Sequence, residues 1–175
     1  MTIQNKLLHE ILKGREERAS EIKKLNEENL GNIICFTINI PGPYKLSDNY
    51  YFAFNEGVLA LEEILNAKAL KRIKRMSGFE AYFISDKSPI DLKKLTVNLE
   101  ERHPLGRLFD IDIFYKNLSK ISREQLSISK RKCLLCDSPA VECGRSRTHS
   151  VEELIICINK LINEYRENNF QEKYK

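Results

Sequence analysis

The sequence predicts an α/β or α+β fold: a short mixed sheet covered by helices on at least one face. Three observations carry this expectation. β-Branched and aromatic residues crowd Asn32 to Ile40, Gly78 to Ser85, and the run of Leu108, Phe109, Ile111, Ile113 and Phe114, each of strand length. Apolar residues recur at helical spacing in the stretches around these runs. Proline and glycine punctuate the joins, as in Pro41-Gly42-Pro43 and Pro104-Leu105-Gly106.

With 175 residues, 42% of them hydrophobic, the chain can build one ordinary core and hardly two. Residues 1–175 are therefore expected to form a single domain, with 131–149 as a basic Cys/His-containing loop inside it. A net charge of +4 is too small to demand a nucleic-acid partner. The first residues lack a signal-peptide apolar region, and charges interrupt every apolar run before membrane-spanning length. A cytoplasmic protein with no membrane partner is expected. Five cysteines are an odd number, and three fall between Cys133 and Cys143, which suits reduced thiols or a metal better than a disulfide framework.

Taken in order, Thr2 to Leu30 reads as a long amphipathic helix stopped by Gly31. Its seam runs Leu8, Ile11, Arg15, Arg18, Ile22 and Leu25, so two arginines stand where core residues are expected, after Gly14 has left a groove. Such arginines either snorkel to the rim or form a fork for phosphate or carboxylate. Asn32 to Ile40 follows as a buried strand closed by the rigid Pro41-Gly42-Pro43 turn. Asn39 before this turn and Lys45 after it can wall a ligand pocket.

Glu56 to Met76 reads as a second helix, capped by Asn55 and ended by Gly78. Lys68, Lys71, Arg72, Lys74 and Arg75 would then lie in its last turns. There they would complement the dipole or steer an acidic partner. Gly78 to Ser85 is the next strand. Ser88-Pro89 opens a helix to about Arg102, and Ser122-Arg123-Glu124-Gln125 is a capping box for a short one. Ser150-Val151-Glu152-Glu153 caps the last helix, whose polar tail from Asn168 is expected to fray.

Two constellations carry chemistry. Asp110 and Asp112 are two apart in an apolar strand and project from one face. Carboxylates so placed need a cation, donors or open water, and the pair suits a divalent metal. Arg107, at the start of the strand, can fold over its edge toward a phosphate, and His103 is a candidate base or a structural residue before Pro104. The second constellation is Cys133, Cys136, Cys143 and His149 among Lys130, Arg131, Lys132, Arg145 and Arg147. Three thiolates and an imidazole can hold zinc tetrahedrally; otherwise these are reduced cysteines beside a phosphate-binding loop.

The run Glu101-Arg102-His103-Pro104-Leu105-Gly106-Arg107-Leu108-Phe109-Asp110-Ile111-Asp112, followed by Arg131 to Cys136 and Cys143 to Ser150, resembles the holo-acyl-carrier-protein synthase family of citrate lyase. This family is also called the apo-citrate lyase phosphoribosyl-dephospho-CoA transferases. The likeness extends to Arg15-Glu16-Glu17-Arg18 and to Phe36 to Pro43, and so covers nearly the whole chain. It implies nucleotidyl-type transfer from 2'-(5''-triphosphoribosyl)-3'-dephospho-CoA to a serine of the citrate lyase acyl carrier protein (the γ subunit), with release of pyrophosphate. It also implies that Gly106, Arg107, Asp110 and Asp112 match the family's motif, the aspartates holding a divalent ion such as magnesium. Arg15, Arg18, Arg107, Arg145 and Arg147 are then candidates for the donor. One departure is Ser127, where the family tends to have glycine. A nucleotidyltransferase-like sheet is one way to mount such an aspartate pair, although those enzymes carry a separate glycine-serine turn farther before it than Gly106 lies here. The alternative of another class is a non-catalytic, zinc-dependent module binding RNA or protein through 131–149.

Overall fold

Four strands, β1 (Asn32–Ile38), β2 (Lys71–Arg75), β3 (Gly78–Ser85) and β4 (Phe109–Phe114), form one sheet in the order β2-β3-β1-β4. The computed structural model describes residues 3–173. Every neighbouring strand pair is antiparallel, so the fold is of the α+β kind and its sheet is not mixed. The two-residue connection Met76-Ser77 between β2 and β3 is open only to antiparallel strands.

β1 lies inside the sheet, and Ile33, Ile34 and Phe36 are fully buried. Helix α1 (Ile3–Glu28) covers one face, packing Ile22 and Leu25 on Ile33, Cys35, Tyr82 and Phe114. The groove expected at Gly14 is filled by Ser77, which occupies the space a Cβ would need. Helices α2 (Asp48–Leu65), α3 (Pro89–Arg102) and α5 (Val151–Lys173) build the larger core on the other face, around Phe36, Phe83, Phe109, Ile111 and Ile113. The short helix α4 (Ala140–Ser146) belongs to the loop before α5. Thr2, the expected first residue of the leading helix, lies outside the described residues. The tail from Asn168 continues α5 to Lys173, with the last two residues again outside. No described helix is long and apolar enough to cross a membrane.

The second helix is displaced from its expected position. It begins at Asp48, capped by Ser47 rather than Asn55, and stops at Asn66, whose φ of 51° turns the chain left-handed. Leu70 and Ile73 continue the helical spacing in the sequence, but the chain has turned by then. The Glu62 carboxylate fixes the turn: it accepts hydrogen bonds from the Ala69 amide (3.1 Å), Lys68 (2.8 Å) and Arg72 (2.9 Å). Those bonds hold its pKa down to about 2. The contribution of Glu62 to stability is therefore complete above about pH 4.5 and disappears as the pH falls from there toward 2. Glu62→Gln should lower the denaturation midpoint at neutral pH and flatten that part of the acid limb. An unchanged limb in acid titrations followed by circular dichroism would remove Glu62 from this role.

The supposed basic helix end is thus the edge strand β2, where cationic side chains discourage pairing with a second sheet. Nor is it an unbalanced patch. Lys71 pairs with Glu21 at 2.6 Å, Arg72 with Glu62 at 2.9 Å, and Arg75 with Glu17 at 2.7 Å and Glu80 at 3.3 Å. Of the four β2 cations, only Lys74 lacks a carboxylate partner among the described residues. The expectation that they complement a helix dipole loses its basis, and the field that would steer an acidic partner is offset by Glu17, Glu21, Glu62 and Glu80.

The other caps follow the sequence reading. Ser88 accepts from the Asp91 amide with Pro89 at the first turn of α3, and both capping boxes close reciprocally at Ser122/Gln125 and Ser150/Glu153. Ser127 keeps the tight turn despite not being glycine. Its φ is 55°, and its amide donates to the Glu124 carbonyl at 3.0 Å.

Candidate active site

β4 is the sheet edge that bears the acidic pair. Its alternation sends Phe109, Ile111 and Ile113 into the large core and Asp110 and Asp112 to the α1 side. Across the strand boundary Asp110 faces Thr37, and Asp112 faces Cys35. The pair is not sealed in: the side chains are 51% and 35% exposed. Asp112 accepts an ion pair from Lys120 at 2.5 Å, whereas the nearest cation to Asp110 is Arg131 at 4.0 Å. Desolvation and then the charge of Asp112 push the Asp110 carboxyl above its ordinary range.

The outer edge of β4 is closed by two side chains and one backbone amide. Arg131 donates to the Phe109 carbonyl at 2.7 Å, Lys93 to the Ile111 carbonyl at 3.0 Å, and the Ile121 amide to Ile113 at 3.1 Å. Arg131 also pairs with the buried Glu100 at 2.5 Å, as does Arg123. These bonds hold the Arg131 guanidinium beside Asp110.

On the α1 side, Arg18 reaches the fully buried Glu80 at 2.9 Å, and the Tyr82 hydroxyl donates to the same carboxylate at 2.6 Å. Arg75 completes the cluster. Of the two outcomes that the helix seam left open for Arg18, snorkelling or pairing, the structure shows pairing, with its Nε committed to a carboxylate of the protein. Arg15 is exposed. Burial lowers the Lys45 pKa, and the charges of Arg15 and Arg18 lower it further, so these three cations converge at the end of the sheet where β1 leaves and β4 enters. Lys45 donates to the Ile40 carbonyl.

Gly106 and Arg107 precede β4 in a single 3₁₀ turn, Gly106–Leu108. Gly106 lies so close to the Glu100 and Leu99 carbonyls that a Cβ has no room. The Arg107 guanidinium donates to the Lys132 carbonyl at 2.9 Å and to the Cys133 carbonyl, tying β4 to the Cys/His loop. His103 is not brought to the aspartates. Its Nδ1 accepts from the Leu105 amide at 3.0 Å, and its ring sits 4.9 Å from Phe109 and 5.4 Å from Tyr165, on the opposite face of the sheet.

The loop itself gathers Cys133, Cys136, Cys143 and His149, whose candidate ligand atoms all lie within 4.8 Å of one another. Hydrogen bonds from His149, the Ser138 backbone and Cys143 lower the Cys136 thiol to about 6, while its bond to Cys136 and burial push Cys143 up to about 11. Between the loop, Asn39 and Pro41 just after β1, and the start of α5 is a cleft of about 550 Å³. Arg107, Arg131 and Arg147 line it together with Leu134, Val151 and Leu154. Arg145 is exposed on α4 and is not among the lining residues. A second cavity of about 520 Å³, floored by Tyr51, Phe54 and Phe79, lies at the opposite, β2 edge, and neither cavity is lined by Asp110 or Asp112.

A family model described as Apo-citrate lyase phosphoribosyl-dephospho-CoA transferase matches residues 6–165. The chain belongs to this family. Similar curated proteins include the apo-citrate lyase phosphoribosyl-dephospho-CoA transferase of Citrobacter koseri, 34% identical over 160 residues that cover 89% of this chain and 87% of the relative. A Streptococcus pyogenes serotype M18 relative is 36% identical over 165 residues, covering 90% and 86% of the two chains. One from Vibrio cholerae serotype O1 is 34% identical over 139 residues, covering 76% and 78%.

For this member of the phosphoribosyl-dephospho-CoA transferase family, sequence reasoning singled out the acidic pair and Arg18 but passed over Glu80, Arg131 as a partner of Asp110, and Lys120. A signal for Glu80 was present. It is the lone acid in the apolar run Phe79 to Ile84, and a carboxylate there needs a cation or donors just as Asp110 and Asp112 do. Lys120 had no such signal, because only the return of the chain after β4 brings it to Asp112.

Proposed function

We propose that this protein, as one transferase domain spanning 1–175, moves the phosphoribosyl-dephospho-CoA group from 2'-(5''-triphosphoribosyl)-3'-dephospho-CoA to a serine of the citrate lyase acyl carrier protein. The observation that carries this reading is the acidic pair of β4, set among cations in a chain of this family. The serine oxygen forms a bond to the ribose-linked phosphorus, the bond from that phosphorus to the pyrophosphate oxygen breaks with its electron pair leaving on pyrophosphate, and the hydroxyl proton passes to solvent.

Asp110 and Asp112 fit a divalent cation such as magnesium. They share one face, both reach solvent, and burial followed by their mutual repulsion raises Asp110, which a cation would relieve. Bound there, magnesium supplies charge neutralisation for the triphosphate and the departing pyrophosphate. Arg131, held by Glu100 and the Phe109 carbonyl, is positioned to meet phosphate oxygens beside Asp110. Arg15, Arg18 and Lys45 offer a second cationic group on the α1 side, which Arg18 retains while bound to Glu80 because its terminal nitrogens are left for a fork. The cleft beside the Cys/His loop suits the remainder of the donor, with Arg107, Arg131 and Arg147 near its phosphates and Leu134, Val151 and Leu154 along its apolar arm. A cytoplasmic location agrees with the cysteines, all five of which are free.

Incubating the protein with labelled donor, magnesium and apo-carrier should label the carrier and release pyrophosphate. A carrier with its acceptor serine changed to alanine should stay unlabelled. Equal labelling of both carriers, or none of either at saturating donor, would refute the reading.

A further inference from the structure

We propose that Cys133, Cys136, Cys143 and His149 form a structural zinc centre that holds the 127–150 segment against the active-site edge of the sheet. Metal binding here does not depend on the transfer reaction, and the two can fail separately.

The local backbone builds the site from a turn and two helix ends. Lys132 and Pro139 form an antiparallel bridge, and the Cys133 amide donates to the Ser138 carbonyl at 2.7 Å. This folds Cys133-Leu134-Leu135-Cys136 into a knuckle with both sulfurs on its inner side. Helix α4 supplies Cys143. The left-handed Arg147 then ends α4 and returns the chain so that His149, just before α5, reaches Cys136 with Nε2 at 3.3 Å from its sulfur. The Cys136 and Cys143 sulfurs are 3.4 Å apart. A tetrahedron with zinc–sulfur bonds of about 2.3 Å has edges of about 3.8 Å, so small adjustments complete it. Four protein ligands leave no open coordination position, which marks a structural centre rather than a Lewis acid for substrate.

A second observation is what the segment lacks. From Ser127 to Ser150 the only buried side chains are Cys133 and Cys143, while Leu135 and Val141 are 39% and 56% exposed. Leu134 packs against the main core and Ile128 is half-buried, but a stretch of this length with so few apolar residues to bury needs another source of cohesion, and small disulfide-free segments commonly obtain it from a metal. Charge agrees as well. Three thiolates around one zinc(II) leave a single net negative charge, and Arg107, Arg131, Lys132, Arg145 and Arg147 come from the surrounding chain. The centre has a route to the chemistry: Arg107 donates to the Lys132 and Cys133 carbonyls, and Arg131, two residues before the first ligand, holds the Phe109 carbonyl and stands beside Asp110.

The test is elemental analysis of the full chain, purified reduced and without a histidine tag. About one zinc per chain is expected, falling to less than about one tenth in Cys136→Ser. Because that variant can fail to fold, the parent is also stripped and reloaded with cobalt(II). Thiolate-to-cobalt charge-transfer bands and the intense visible bands of tetrahedral cobalt are expected, together with slower proteolysis within 127–150 than in the stripped protein. Reduced, transfer-competent protein that binds neither metal overturns the proposal. So does a Cys136→Ser variant that retains the parent's zinc and cobalt spectrum.

Discussion

Asp112→Asn should leave the fold intact and lower the rate of carrier labelling by at least about 100-fold, the scale on which one group that stabilises transition-state charge acts. The substitution changes neither volume nor shape. It removes one charge from a half-buried side chain that faces Cys35 across the sheet and otherwise meets Lys120. Its structural cost is confined to an ion pair on the surface, worth about 0–1 kcal/mol. Its functional cost is larger, since the remaining carboxylate, Asp110, is insufficient to hold a divalent ion with the same affinity. Raising the magnesium concentration should recover part of the lost rate in Asp112→Asn and none in a variant lacking both carboxylates. Turnover equal to that of the parent at low magnesium would exclude Asp112 from the site. A fall in rate accompanied by a thermal midpoint well below the parent's would instead assign it to the fold.

Glu80→Leu is expected to be the most destabilising single change on the α1 side of the sheet, by about 3–5 kcal/mol, because it leaves the half-buried Arg18 without its counter-charge and Arg75 with Glu17 alone. Glu80 is fully buried and takes Arg18 and Arg75 on its two oxygens while Tyr82 donates to one of them. Burial and the hydrogen bond to Glu80 raise the Tyr82 hydroxyl well above its ordinary pKa, so it remains a neutral donor. For a chain of this size the loss corresponds to a fall in thermal midpoint of about 6–20 °C. Replacing Arg18 by methionine together with Glu80→Leu should recover part of that loss, since the apolar pair no longer strands a charge. The double variant should regain stability without regaining donor affinity if Arg18 also meets the triphosphate. A Glu80→Leu protein as stable as the parent would mean that water reaches this cluster and the network contributes little.

Local pattern determined much of this molecule in advance. Three of the four strands, the caps at Ser88, Ser122 and Ser150, the turn at Gly106 and the shared face of Asp110 and Asp112 all follow from spacing of two or of about 3.6 residues and from turn chemistry. The grouping of Cys133, Cys136, Cys143 and His149 was likewise legible, because a Cys-x-x-Cys turn and a short helix need little long-range information to bring their ligands together. Tertiary structure decided what spacing could not. The apolar residues Leu70 and Ile73 fit a helix, yet a buried Glu62 carboxylate that bonds Lys68, Ala69 and Arg72 turns the chain and makes β2 a strand. His103 and Asp110 are seven positions apart, but the pleat and the core put them on opposite faces. Lys120, Glu80 and Arg131 joined the site because folding set distant segments side by side. Periodicity describes which face a residue takes within its own element; which charges meet across elements depends on burial, where an unpaired ion is too costly to leave and its partner can come from anywhere in the chain.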